Sequence, residues 1–291
     1  MTSKGVADAL LHKLSYLSCE SDSAVASSAY TFALDFDSLL VWPDLPYDTA
    51  SPVSRYAEES RAEIVEILGA AGSIVGSRAP KALAFVNEQL EHVVIRRSSA
   101  IDGASSSSNR EFVGFCLLSN IHIPPDRVFV SVEALVHEAI HQYLYRTELE
   151  SGNFCDLSEL RTYRSPWSGK RIPLHSLIHA SFVWFGLLSL WCQLAQTVTD
   201  RDEALIVRGK VAQTLFGFAF IRQMLASPIF PRSSVQPQII ELIEHIAQIA
   251  TAVARSADGF RTLGESPQFC EGGAWVAHLS SSLQRIEGCC Q

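Results

Sequence analysis

Residues Ser131 to Arg146 read SVEALVHEAIHQYLYR, and this stretch decides the outline of the chain. Ala134, Leu135, Val136, Ala139 and Ile140 flank two histidines with apolar side chains, which predicts a buried helix over 131–146. Ser131 suits its N-cap, and Glu133 its first turn, where a carboxylate meets the positive end of the helix dipole. Inside it, His137-Glu138-Ala139-Ile140-His141 is an H-E-x-x-H element. Residues at i and i+4 share one helix face, so the two imidazoles can grip one metal ion. Glu138 stands on the next ridge, within reach of the rim of such a site.

Two imidazoles leave a catalytic metal one protein ligand short. The metzincin continuation is absent, since Leu144 and Thr147 stand where its glycine and third histidine belong. Two candidates remain. Glu159 follows His141 at the spacing of zinc peptidases that take a glutamate from the next helix. His175 and His179 form a second i, i+4 pair at the start of an apolar run, with His179 the deeper of the two. A polar ring in an apolar helix must be satisfied, and a metal would satisfy it.

Upstream of the motif, helices are expected at Ala7–Leu17, Arg55–Ala71 and Pro80–Leu90, and strands at His92–Arg96 and Glu111–Leu118. Phe32–Pro46 reads as an ordered, aromatic-rich loop. Ile101–Arg110 is rich in Gly and Ser and reads as a turn or flap, with Gly103–Asn109 as a candidate lid. Downstream, a polar loop runs from Glu148 to Pro173. Helices follow at Leu174–Thr197, Arg201–Leu225, Pro237–Ala254 and Gly273–Ile286. The expected fold is mainly α (α+β): a helical domain with a small sheet ahead of the metal-binding helix. It forms one unit over 1–291, with an N-terminal helical extension at 1–80 and a catalytic core at 81–291.

The composition narrows the function. The 291 residues are 47% hydrophobic and 19% charged, which excludes a disordered chain or a coiled coil. A net charge of −8 and a pI of 5.6 argue against a nucleic-acid binder, which needs a basic face. Ile178–Ala195 is nearly continuous apolar sequence, but it carries His179 and Gln193, and it reads as the core helix of a globular domain rather than a membrane span. Seven cysteines at irregular spacing, without C-x-x-C, read as free thiols of a reducing cytoplasm. Cys289-Cys290 has no catalytic use in this reading. The N-terminus lacks a basic stretch followed by an apolar run, so a secretory signal is not expected and a cytoplasmic location is.

The segment Leu135 to Gln142, with Ser165-Pro166-Trp167, Arg171-Ile172-Pro173 and Leu177-Ile178-His179-Ala180-Ser181-Phe182-Val183, resembles one family. This is the HExxH-motif peptide-modification proteins, described as 2-oxoglutarate-dependent peptide β-hydroxylases acting on ribosomally made precursor peptides. The resemblance covers roughly Phe112 to Ser189. Its more specific part is the Ser-Pro-Trp loop with Arg-x-Pro and Leu-x-His-Ala; the family often reads Trp-Arg where Trp167 is here followed by Ser168. The resemblance implies iron(II) held by His137, His141 and His179, with 2-oxoglutarate as co-substrate and a peptide as partner. It implies an arginine for the distal carboxylate, Arg171 or Arg164, because a guanidinium fork matches a carboxylate. Glu138 would then orient a ligand or touch the substrate. The alternative is a zinc metallopeptidase in which Glu138 is the general base, with Glu159 or His179 the third ligand. Trp167 and Trp184 are candidates for the wall of the site.

Overall fold

The motif helix, α4, runs from Arg127 to Ser151, longer at both ends than its apolar core suggests. It begins as soon as the chain is past Pro124-Pro125, which cannot sit inside a helix. Ser131 is therefore interior rather than a cap, and its hydroxyl donates to the Arg127 carbonyl at 2.8 Å. At the other end α4 continues past Arg146 through Glu148 and stops at Gly152, whose φ of 94° favours glycine.

The computed structural model describes residues 3–15, 17, 29–37, 56–98 and 103–256. The helices are α1 (Ser3–Ser15), α2 (Glu58–Arg78), α3 (Pro80–Gln89), α4, α5 (Leu174–Thr197), α6 (Arg201–Ala226) and α7 (Pro237–Ser256). The strands are β1 (Ala33–Asp35), β2 (His92–Arg96), β3 (Ser105–Ser108), β4 (Phe115–Ser119), β5 (Thr162–Arg164) and β6 (Arg171–Pro173). The fold is mainly helical with a small mixed sheet in the order β1-β2-β4-β3. β1, β2 and β4 run parallel, and β3 joins the free edge of β4 antiparallel, pairing Ser106 with Leu118 and Ser108 with Cys116. The segment read as a flap is thus partly an edge strand. Four serines carry no apolar alternation, so only the neighbouring strand's unpaired backbone reveals it. The segment read as a polar loop likewise holds the β5–β6 hairpin.

α4 is the centre of the molecule. It packs against α2, α3 and α5 and against β3 and β4. α5 lies between α4 and α6, and α7 closes the layer on α5 and α6. The apolar α5 passes as a membrane span by length and composition, yet most of it is buried by its neighbours, with Phe182, Leu187 and Trp191 fully enclosed. Leu10 and Leu14 of α1 and Ile64 of α2 lie in the same core as Leu135 and Ile140. Two side chains fix α4 in place. Gln142 accepts from the Gly114 amide at 2.8 Å and donates to the carbonyls of Phe112 and Phe115, so its buried amide is satisfied and ties the helix to the sheet. Gly186 of α5 faces Ile140, whose Cδ1 lies 2.5 Å from where a Cβ would stand, so a larger residue there would make the Ile140 side chain shift. The expected helix at Gly273–Ile286 and the part of Phe32–Pro46 beyond residue 37 lie outside the described residues.

Candidate metal centre

His137, His141, Tyr145 and Glu148 recur along one stripe of α4, and α5 presents His175 and His179 to it. The rings of His137 and His141 are 4.9 Å apart between centroids, and His141 stacks on His179 at 5.6 Å. His179 is followed by His175 at 4.2 Å, with Tyr145 at 5.1 Å on its flank. The three histidines expected to share a metal are therefore consecutive neighbours, and a fourth extends the file. Trp184 meets His137 edge-on at 6.4 Å and stacks on Trp167 at 5.6 Å and 8°, so the two tryptophans form a wall at the His137 end. Gly217 of α6 makes room for Trp167, which donates to the Thr214 carbonyl at 3.2 Å.

At the other end stands Glu148, fully buried. One carboxylate oxygen accepts from Nε2 of His175 at 2.8 Å and from Nε2 of His179 at 3.1 Å; the other accepts from the Phe154 amide at 2.8 Å. Burial would raise the Glu148 carboxyl, but the two imidazole donors outweigh it and hold the group well below the usual carboxylate range. Burial pushes His179 down to about 4, even though Glu148 favours its charged form. Burial also drives His141 well below its usual value, with its three histidine neighbours adding to the effect. At neutral pH His141 and His179 are thus neutral imidazoles, and the Glu148 carboxylate that His179 faces is ionised. An N–H donated from Nε2 of His179 leaves the lone pair on Nδ1. Among the described residues that Nδ1, and the Nδ1 of His141, are buried without a hydrogen-bond partner.

This is the condition that a metal ion would relieve. Buried polar atoms are nearly always satisfied, and a ligating histidine usually gives its other nitrogen to a carboxylate. Among the described residues the group whose ligand atoms all lie within 4.8 Å of one another is Glu148, His175 and His179; His137 and His141 stand next to it but are not drawn together with His179 that closely. The donor set is nitrogen-rich with one carboxylate, suited to zinc or iron(II) and not to magnesium or calcium.

The remaining sequence candidates lie elsewhere. Glu138 is buried on the ridge facing the sheet, where its charge adds to burial in raising the Cys116 thiol of β4. Glu159 is tied by Arg161 and Ser234 at the surface. Arg164 and Arg171 are exposed on the β5–β6 hairpin. The arginine whose charge reaches His179 is instead Arg110, just after β3, which donates to Asn153 at 2.6 Å. Sequence reading missed Glu148 and Arg110. Glu148 stands seven residues after His141, in phase with the histidine stripe, but it becomes legible only when α4 is known to outlast Arg146. Arg110 carries no local signal; the pairing of β3 with β4 places it.

The fold and site define a helical protein with a histidine-carboxylate cluster sealed between its two central helices. No protein-family model matches the chain, and no curated protein matches it.

Proposed function

We propose that this chain is an iron(II)- and 2-oxoglutarate-dependent hydroxylase of a ribosomally made peptide, with His137, His141 and His179 as metal ligands. The observation that carries the reading is the stacked pair His141 and His179, each with a buried Nδ1 that no group among the described residues satisfies. Glu148 fixes the orientation of His179 from behind, and His175 donates to the same carboxylate oxygen. In this ligand set the carboxylate stands behind a histidine rather than on the metal, so its charge orients His179 instead of occupying a coordination position. Bound iron(II) with 2-oxoglutarate and dioxygen would supply the oxidation of an unactivated C–H bond. Arg110 is the guanidinium best placed to pair with the distal carboxylate, ahead of Arg171 and Arg164, because it is bonded to Asn153, next to Phe154, whose ring lies 5.7 Å from that of His179. Trp167 and Trp184 keep water from the His137 end.

The zinc metallopeptidase is less well supported. It needs Glu138 as a base at the metal. Glu138 is buried with an unpartnered Oε2, but its charge is felt at Cys116 of the sheet, and among the described residues no side-chain hydrogen bond joins it to the histidines. It also draws its third ligand from Glu159 or His179, and Glu159 is held by Arg161. The test is succinate formation by anaerobically purified protein given iron(II), 2-oxoglutarate and ascorbate. The reading expects turnover that survives Glu138→Gln in part and is lost in His141→Ala. Arg110→Gln should chiefly raise the KM for 2-oxoglutarate. Zinc-dependent peptide cleavage abolished by Glu138→Gln, with no succinate formed, would establish the peptidase instead.

A further inference from the structure

A cleft of about 720 Å³ opens on the outer face of the β5–β6 hairpin, between the hairpin and the end of α6. Its walls combine two chemistries. Leu160, Phe220 and Ile229 are exposed large apolar side chains, at 88%, 40% and 76% of their full surface. Arg164 and Arg171 also line it, and they are directly opposite each other in the antiparallel ladder.

That pairing is unfavourable on its own. Like charges opposite one another across two strands destabilise a sheet, and this hairpin is only three residue pairs long. Among the described residues neither guanidinium has a carboxylate partner, although the chain carries 31 acidic residues against 23 basic ones. Arg171 is positioned by neutral groups alone, donating to the Thr162 hydroxyl at 3.1 Å and the Thr162 carbonyl at 3.4 Å. The neighbouring Arg161, by contrast, is neutralised by Glu159. A hairpin that concentrates two unneutralised guanidinium groups beside an exposed apolar wall is complementary to an anion that carries a hydrophobic side chain.

We propose that this cleft is a docking site for an acidic peptide segment, with carboxylates on Arg164 and Arg171 and an apolar side chain against Leu160, Phe220 and Ile229. The guanidinium forks supply charge-assisted hydrogen bonds, and the apolar wall supplies burial of about 25 cal/mol per Å² removed from water. The assignment does not rest on the hydroxylase reading: it concerns capture of a chain, whatever the buried histidines do.

The experiment is fluorescence anisotropy of the full-length protein with a fluorescein-labelled hexapeptide alternating Asp and Leu. Companion peptides carry Asn for Asp, or Ser for Leu. The expected result is tenfold or greater weakening for either companion, and the same loss in Arg164→Gln/Arg171→Gln and in Ile229→Ser. All three side chains are exposed, so an unchanged circular dichroism spectrum and unchanged metal content should accompany that loss. Equal binding of the Asp and Asn peptides would overturn the proposal, as would binding untouched by the double substitution. Displacement of the peptide by succinate alone at similar concentration would assign the arginines to a small dicarboxylate. A dimer that dissociates in the double variant, with no peptide bound, would assign the cleft to a second copy of the chain. Either result removes the peptide.

Discussion

Glu148 is the residue on which the centre depends, and it is not part of the H-E-x-x-H element. Its carboxylate receives both imidazoles of α5 and holds His179 in the form that leaves Nδ1 open. Replacing it by the isosteric amide keeps the volume and removes the charge. Glu148→Gln is expected to weaken zinc or cobalt(II) binding by roughly 10–100-fold, the usual cost of losing a partner behind a ligating histidine. Competition with a chromogenic chelator measures it, and unaltered affinity with an intact fold would mean that His179 is not a ligand. The same residues set a pH dependence in chelator-treated protein. His179 takes its proton at about 4 when folded, against 6.5 ordinarily. The unfolded chain therefore binds the proton first, so stability is complete above about pH 6.5 and falls as pH drops toward 4. His141 works in the same direction. The part due to His179 is about 2 kcal/mol between pH 7.5 and 5. Urea melts at the two pH values read it, and His179→Gln should flatten the difference; an equal slope in wild type and variant would contradict the burial argument.

At the scale of elements, what the sequence revealed and what it hid divide along physical lines. α5 is legible to the residue, because it is apolar all round and bounded by Pro173 and the polar turn before Asp200. β2 is equally legible, from His92 to Arg96, since a run of β-branched residues has few alternatives. The hidden elements are those whose stability comes from a partner. β3 is four serines held by the edge of β4, and the last turn of α4 is held by contacts that Glu148 makes with α5. The histidine stripe was readable from i, i+4 spacing alone; the carboxylate behind it was not, because it lies beyond the apparent helix end. Packing between elements adds requirements that no single segment displays. On α6, a Cβ at Gly217 would lie 1.8 Å from Nε1 of Trp167, while Gly209 on the same helix has open space. Gly217→Ala should therefore cost roughly 1–3 kcal/mol through overpacking and disturb the Trp167–Trp184 stack. Gly209→Ala should be neutral or stabilise by up to about 1 kcal/mol. Thermal melts with tryptophan emission compare the pair, and similar behaviour of both would refute this account of the α6 contact.

For the molecule as a whole, α1 and α2 bury apolar residues in the core that surrounds α4 and α5. The chain is stitched at a second place, by residues 153–156. The Phe154 amide donates to Glu148, and its carbonyl accepts from the Gln236 amide. Asn153 accepts from Arg110 and from the Gln236 side chain, and the Asp156 amide reaches the Ser234 carbonyl. One short strap thus touches the carboxylate behind the histidines, the arginine after β3 and the start of α7. A single amide proton becomes a gauge of occupancy. When an ion fills the centre, Glu148 is pinned from the imidazole side, and the Phe154 N–H should exchange with deuterium at least tenfold more slowly than in the stripped protein. Amides of the exposed α2 surface, such as Glu66, should keep their rates. Exchange followed by mass spectrometry would display loading without any assay of turnover, and an identical rate at Phe154 in both forms would show that the strap does not register the ion.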